Sequence, residues 1–216
     1  MAQILNDFFI SVFTKEDLNN IPVPPTRPSL NILTDMKFES ETIKRKINQM
    51  KPSSVPGPDK ISVRILQENC DSVANALAII FNLSMQSGIV PIDWKHANVT
   101  PIFKKGVKGD PENYRPVLLT SIPCKLMEAC MKDVIVEHLI NNNLINNSQH
   151  GFMKHKSCTT NLLEFLEKVT LEMDTGNPMD IIYLDFAKAF DKVPKLRLLE
   201  KIKAFRAILS NGSNPG

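Results

Sequence analysis

The chain contains few residues of the kinds that form disulfides, metal clusters or large aromatic surfaces. Its 216 residues include four cysteines, one tryptophan and two tyrosines. The cysteines form no CxxC pair and have no histidine at the spacing of a zinc ligand, so the sequence supports neither a zinc site nor a disulfide framework. We therefore expect a protein of a reducing compartment.

Long apolar runs and targeting signals are also missing from the sequence. No apolar run reaches the roughly 20 residues of a membrane-spanning helix. Residues 1–13 have neither the basic start nor the small-residue exit of a secretory signal. We therefore expect an intracellular protein, in the nucleus or the cytoplasm, that is neither secreted nor anchored to a membrane.

The charge is nearly balanced. The 26 Lys and Arg residues stand against 23 Asp and Glu residues, and the resulting net charge of +3 is too small to indicate a polyanionic partner by itself. Residues 95–115, however, contain only Asp110 and Glu112 as acidic residues beside five basic ones, which are Lys95, Lys104, Lys105, Lys108 and Arg115. This run predicts a local basic patch, and a solvated hairpin face would also account for it.

The hydrophobic pattern predicts a mixed α and β protein with one sizeable core or two small subdomains. Two β-prone runs, residues 97–103 and 114–121, predict a hairpin, and Pro101 and Pro116 indicate edge strands because proline cannot donate to a ladder. Two proline-rich segments predict a connector at 21–28 and a rigid loop at 51–59. Apolar residues recur at helical spacing in residues 1–20, 40–50, 71–87, 123–140 and 159–173.

A carboxylate directly after a short apolar run is the most informative local feature. Residues 181–184 are apolar and β-prone, so they predict a short strand from the core of a sheet, with Asp185 emerging at its end. An Asp at such a position either holds a metal ion or caps a helix that begins at Phe186. The local pattern leaves both alternatives open.

Five segments, taken in order, resemble the reverse transcriptase domain of LINE-type, non-LTR retrotransposons. Their order and spacing fit that family as well as their residues do, and together they cover roughly residues 40–200. Residues 6–14 resemble the segment that lies just upstream of the domain in such elements. The five segments are PGPDKIS (56–62), WKHANVTPIFKKG (94–106), NYRPVLLTSIPCKLME (113–128), QHGFMKHKSCTTNLL (149–163) and YLDFAKAFDKVP (183–194).

The resemblance implies an α+β fold, the fingers and partial palm of a right-hand polymerase, with a fingers β-hairpin and a palm strand among helices. It implies an upstream helix and proline-rich linker at 1–39 and a partial reverse transcriptase domain at 40–204. The polar composition of the end of the chain predicts an unstructured tail at 205–216. The implied partners are an RNA template, a DNA primer and deoxynucleotides.

The resemblance also implies a magnesium site and a nucleotide site. Phosphoryl transfer requires carboxylates for two Mg²⁺ ions and cations for the triphosphate. Asp185 matches the family's first metal ligand, and the Phe186 carbonyl would complete the coordination. Phe190 matches the position where an aromatic ring blocks a ribose 2′-hydroxyl, and plain core packing is the alternative role for this ring.

The remaining implied contacts are cationic. Arg115 matches the fingers arginine that meets the triphosphate, with Lys104 or Lys105 as its neighbour.

A second basic stretch matches a region that tracks the template backbone. It contains Gln149, Lys154, His155 and Lys156, which would supply sequence-independent attraction to phosphates. A merely solvated loop is the alternative.

The sequence departs from the family pattern after Asp191. It contains no aromatic-Ala-Asp-Asp segment, and the only later carboxylate side chain is that of Glu200. Two-metal catalysis needs a second carboxylate facing Asp185. We therefore expect a truncated reverse transcriptase that encodes half of the metal site and does not polymerise alone. The alternatives are a non-catalytic nucleic-acid-binding remnant and a non-functional relic. An unpaired strand at 181–184 would also favour self-association.

Overall fold

Seven α-helices and one two-stranded antiparallel sheet form the part of the chain that the structure, a computed structural model, describes: residues 2–25, 33 and 36–205. The predicted tail after Phe205 and the end of the proline-rich connector, residues 26–28, lie outside these residues. The α+β class is confirmed. The helices are α1 (Ala2–Ser11), α2 (Ser40–Gln49), α3 (Val63–Glu68), α4 (Cys70–Ser87), α5 (Ile122–Asn141), α6 (Cys158–Asp174) and α7 (Lys195–Ala204), and the strands are β1 (Ala97–Phe103) and β2 (Tyr114–Thr120).

The hydrophobic core lies between α2, α3, α4 and α5. Ile43 and Ile47, which share one face of α2, are fully buried there, as is Phe81 of α4. The Phe81 ring meets the rings of Phe38 and Trp94 edge-on, at centroid distances of 5.4 and 5.6 Å. Such edge contacts add to the burial of apolar area, so the first half of the chain and the approach to β1 are joined at one point.

Two amide side chains tie loops to this helical core. The Asn82 side chain accepts from the Phe38 N–H at 3.0 Å and donates to the Phe38 carbonyl at 2.9 Å. Gln67 donates to the carbonyls of Ile47 and Met50, each at 3.0 Å, at the end of α2 where carbonyl groups lack helical partners. These bonds fix the segment before α2 and the end of that helix.

The predicted hairpin is confirmed. β1 and β2 pair with Ala97 opposite Thr120 and Phe103 opposite Tyr114, so that Pro101 lies opposite Pro116. The Lys104 N–H donates to the Asn113 carbonyl at 2.8 Å and continues the pairing into the tip. Both strands are edges of this two-stranded sheet, which is where proline is tolerated.

The predicted palm strand at residues 181–184 is wrong. The segment has no regular secondary structure, and its side chains are exposed, with Ile182 at 81% and Leu184 at 85%. A strand needs a neighbour to pair its backbone N–H and C=O groups, and no strand lies beside this segment within the described residues. β-propensity alone therefore did not produce a strand.

Residues 187–192 form turns rather than the helix that Asp185 would cap. The Asp191 and Lys192 N–H groups both donate to the Lys188 carbonyl at 3.1 Å. The helix-capping alternative for Asp185 is therefore also wrong.

Within the described part of the chain, no helix is long and apolar enough to cross a membrane.

The proline-rich loop at 51–59 packs its glycine against the base of the hairpin. A Cβ on Gly57 would lie 2.5 Å from the Ser121 nitrogen and 2.6 Å from the Thr120 carbonyl carbon. Ser121 is fully buried and caps α5, where its side chain accepts from the Cys124 N–H. Backbone approaches backbone here, so neither side has a flexible group that could yield.

We predict that Gly57→Ala lowers the free energy of unfolding by about 1–3 kcal/mol, because the added methyl group must displace backbone. Urea denaturation measures the change. Gly109→Ala is the matched control, since nothing lies within 4 Å of a Cβ there, and it should stay within about 0.5 kcal/mol of wild type. Equal effects of the two substitutions would contradict this packing account.

Candidate nucleotide and nucleic-acid site

A pocket of about 350 Å³ brings three of the predicted site residues together: Lys104, Arg115 and Phe190. Its walls come from three parts of the chain that are far apart in sequence. The remaining lining residues are Phe8, Phe9 and Val12 from the N-terminal end, Glu112, Tyr114 and Pro116 from the hairpin, and Lys188, Ala189 and Asp191 from the turns after Asp185.

The hairpin positions the two cations. Arg115 lies on β2 opposite Ile102, and Lys104 directly follows the end of β1. The tip is held by Tyr114, whose hydroxyl donates to the Lys108 carbonyl at 2.8 Å. Lys105 is exposed and does not line the pocket. Of the two lysines that the sequence left as alternatives, the structure therefore brings Lys104 beside Arg115.

The lining carries three cations against two carboxylates. Lys104, Arg115 and Lys188 supply the positive charges, and Glu112 and Asp191 supply the negative ones. The balance is positive, and both hairpin cations are exposed to solvent. The arrangement can attract a polyanion of modest size, with contacts that weaken as salt rises.

The turns after Asp185 bring Phe190 to the pocket. Lys188 has a positive φ of 54°, and its ammonium lies 4.2 Å from the centroid of the Phe8 ring, a cation–π distance. Phe190 is 79% exposed and meets the Phe152 ring edge-on at 6.1 Å. Core packing therefore does not describe this ring, which is available to a ligand.

The Asp185 carboxylate lies apart from this pocket. The side chain is exposed and makes no hydrogen bond or ion pair with another described residue. Phe186 is 80% exposed on the same irregular segment. Among the described residues, no three His, Cys, Asp or Glu side chains are grouped so that they could hold a metal ion. The residues present therefore do not fit the two-metal centre that the resemblance implies.

The predicted template-contacting residues lie on a loop between α5 and α6. Gln149 donates to the Gly151 carbonyl at 3.1 Å, Lys156 donates to the Asn147 carbonyl, and His155 is exposed with a φ of 62°. The internal bonds hold the loop in shape, and contact of these residues with a template stays a prediction.

Lys154 extends from this loop into a second pocket, of about 430 Å³. Arg45 of α2 and Lys132 of α5 also line it, and their charges face those of Asp133 and Glu137. Sequence spacing gave no indication that these cations would meet.

A buried histidine that the sequence did not single out anchors the loop to α6. His150, only 9% exposed, contacts the Thr160 hydroxyl through Nδ1 at 2.9 Å and the Glu164 carboxylate through Nε2 at 2.8 Å. Glu164 also accepts from Lys168 at 2.7 Å and from Ser148 at 2.8 Å. The sequence signal that could have pointed to this contact is the Ser157–Thr160 spacing. These two residues form a capping box at the start of α6, and Thr160 is one of the residues that His150 contacts.

Bonds from Lys168, His150 and Ser148 lower the pKa of Glu164 from its ordinary value of 4.5 to about 2. A lowered pKa means that the ionised carboxylate is favoured in the folded state. Its stabilising effect is therefore present above pH 4.5 and is lost as the pH falls towards 2.

We predict that Glu164→Gln makes the unfolding free energy less dependent on pH between about 4.5 and 2, because the group that titrates there is gone. Urea denaturation across this pH range measures the slope. Glu167→Gln is the control, because Glu167 is exposed on the same helix, and it should keep the wild-type slope. Indistinguishable slopes for the two variants would contradict the predicted role of Glu164.

The hairpin tip, the loop before α6 and the turns after Asp185 all lie within a region that matches a known protein family. The family model described as "Reverse transcriptase (RNA-dependent DNA polymerase)" matches residues 102–210, half of the chain. The match includes Arg115, Gln149, Asp185 and Phe190. The chain belongs to this reverse transcriptase family.

Three curated relatives from Drosophila melanogaster match most of the chain. It is 27% identical over 164 residues to the RNA-directed DNA polymerase from mobile element jockey. It is 25% identical to the probable RNA-directed DNA polymerases from transposon BS, over 164 residues, and from transposon X-element, over 167 residues. The matches cover 76–77% of this chain but 18% of each relative. The predicted relation to non-LTR retrotransposon reverse transcriptases is confirmed.

Proposed function

We propose that the chain is the fingers and the first part of the palm of a retrotransposon RNA-directed DNA polymerase, and that its hairpin pocket receives the triphosphate of an incoming deoxynucleotide. Within it, residues 40–204 are the partial polymerase domain, preceded by an upstream helix and linker at 1–39. The observation that carries the proposal is the meeting of Lys104, Arg115 and Phe190 in one pocket. These residues occupy separate motifs of the resemblance, yet they share one surface.

Each of the three residues has a distinct role in the proposed pocket. The planar guanidinium of Arg115 suits bidentate contact with phosphate oxygens, and Lys104 adds a point charge beside it. In this proposal the exposed ring of Phe190 packs against the sugar and disfavours a 2′-hydroxyl. Lys188, which also lines the pocket, is held over Phe8 and adds a third cation.

Reverse transcriptases use Mg²⁺, which supplies charge neutralisation during phosphoryl transfer. Asp185 and the Phe186 carbonyl remain our candidates for one metal contact, but the described residues do not complete a metal site. We therefore propose that this chain binds nucleotide and nucleic acid without polymerising alone. The exposed apolar side chains of residues 181–184 favour association with another chain, including a second copy.

We predict that Arg115→Ala and Lys104→Ala each weaken binding of a fluorescent deoxyadenosine triphosphate by roughly fivefold to tenfold at low salt, because each removes a cation facing the phosphates. Fluorescence anisotropy measures the affinity. Lys105→Ala is the matched control, since it removes the same charge from the adjacent residue, which lies outside the pocket lining. Equal weakening by Lys104→Ala and Lys105→Ala would show a general charge effect and contradict the pocket.

A non-catalytic nucleic-acid-binding function is favoured by the loop at 149–156. Lys154 shares a pocket with Arg45 and Lys132, so cations from three separate segments face one surface. Phosphate contacts of this kind give sequence-independent and salt-dependent binding. This function is compatible with nucleotide binding and does not require a complete metal site.

We predict that the chain binds an RNA–DNA primer–template and that Lys154→Ala lowers the slope of log affinity against log salt by about 1, as expected for one lost phosphate contact. Lys51→Ala, at an exposed position in the proline-rich loop, should leave the slope unchanged.

Primer extension with Mg²⁺ on the same primer–template should yield no product. Extension that Asp185→Asn abolishes would show that the metal site is complete and would overturn the non-polymerising part of the proposal.

A further inference from the structure

Helix α7 begins without a capping side chain of its own. Its N-cap residue is Pro194, which has no side-chain acceptor, and the first N–H groups of a helix lack helical partners. Glu16, 180 residues away, supplies the acceptor. Its carboxylate oxygens lie 3.0 and 3.1 Å from the Leu196 nitrogen, and one of them lies 3.2 Å from the Arg197 nitrogen.

These are the second and third residues of α7, whose N–H groups an N-cap side chain normally serves. The negative charge of Glu16 also lies at the positive end of the helix dipole. Glu16 therefore acts as a remote cap.

Further contacts continue along the same boundary. Thr14 donates from its hydroxyl to the Lys192 carbonyl at 2.9 Å, and Arg197 donates to the Asn20 carbonyl at 3.3 Å. The Lys195 ammonium lies 5.8 Å from the centroid of the Phe13 ring. The N-terminal segment, defined here as residues 2–20, is thus attached to residues 188–197 at several points. Among its residues, Glu16 makes the most of these hydrogen bonds.

The same N-terminal segment forms the apolar wall of the hairpin pocket. Phe8, Phe9 and Val12 line it together with the hairpin cations. A ligand seated against this wall would be partly removed from water, which strengthens its electrostatic contacts. Detachment of the N-terminal segment would remove the apolar wall that lines the pocket together with Lys104 and Arg115.

We propose that Glu16 is a positioning residue that docks the N-terminal segment on α7 and thereby holds the apolar wall of the pocket in place. Its effect on nucleotide affinity rests on the proposed function, because it requires a deoxynucleoside triphosphate as the ligand. Its docking role stands on the contacts of the chain itself and can be measured without a ligand.

Two measurements on the full chain test this role. In Glu16→Ala, amide hydrogen exchange should become faster at residues 196–197 and also at residues 8–14, and affinity for the fluorescent deoxyadenosine triphosphate should fall roughly threefold to tenfold. Asp17→Ala is the matched control. It removes the same charge one residue away, and the Asp17 carboxylate accepts locally from the Asn19 N–H, so it should change neither readout.

A second variant separates docking from simple stabilisation of α7. Pro194→Asp in the Glu16→Ala background gives α7 a local cap. Protection at residues 196–197 should return, while residues 8–14 stay unprotected and the nucleotide affinity stays low. If the local cap restores the affinity, or if Glu16→Ala leaves exchange at residues 8–14 unchanged, the docking role is overturned.

Failure of the proposed function would give a result different from failure of the docking role. A wild-type chain that binds no triphosphate contradicts the nucleotide pocket, and the exchange comparison still decides whether Glu16 docks the N-terminal segment. The two conclusions therefore fail separately.

Discussion

The close approach of Gly57 to the Thr120–Ser121 peptide fixes where the hairpin leaves the helical core. Ser121 and Ile122 are fully buried at this junction, and no side chain separates the two backbones. Since β1 and β2 pair only with each other within the described residues, no further strand holds the hairpin, and its base is anchored at this contact. The location of Arg115 therefore depends in part on a contact that contains none of the pocket residues.

The pocket is built by residues from three parts of the chain that local structure alone would not bring together. The hairpin gives the cations a rigid support, the turns after Asp185 supply Phe190, and the N-terminal segment covers the apolar side. Asp185 lies outside this pocket lining. Its neighbours at 181–184 remain exposed because no strand lies beside them to pair with their backbone groups. The Asp185 carboxylate is therefore not positioned at the end of a strand in a sheet.

Attraction for a polyanion is spread over two regions. The hairpin pocket presents Lys104 and Arg115, and the loop before α6 presents Lys154 beside Arg45 and Lys132. Within the loop, Glu164 is engaged by Lys168, Ser148 and His150. That carboxylate is thereby occupied in holding the loop, while the exposed cations remain accessible to phosphates.

The sequence by itself determined several of the local elements, although the strand predicted at 181–184 did not form. The helix expected at 71–87 is α4, Cys70–Ser87, ended by Gly88 with a φ of 67°, and the hairpin follows the β-prone runs that flank its basic tip. Five ordered motifs were also sufficient to indicate the family. These features depend on spacing between near neighbours, which periodicity, proline and glycine report directly.

Only the tertiary structure decided which side chains meet. It placed Lys104, and not Lys105, in the lining of the pocket, and it left residues 181–184 without a pairing strand. It also brought His150 to Glu164 and Glu16 to α7. No local pattern encodes a contact between residues that are 180 positions apart, because such a contact depends on how the whole chain closes. The sequence thus named the residues of the candidate site, and the long-range packing determined which of them share a surface.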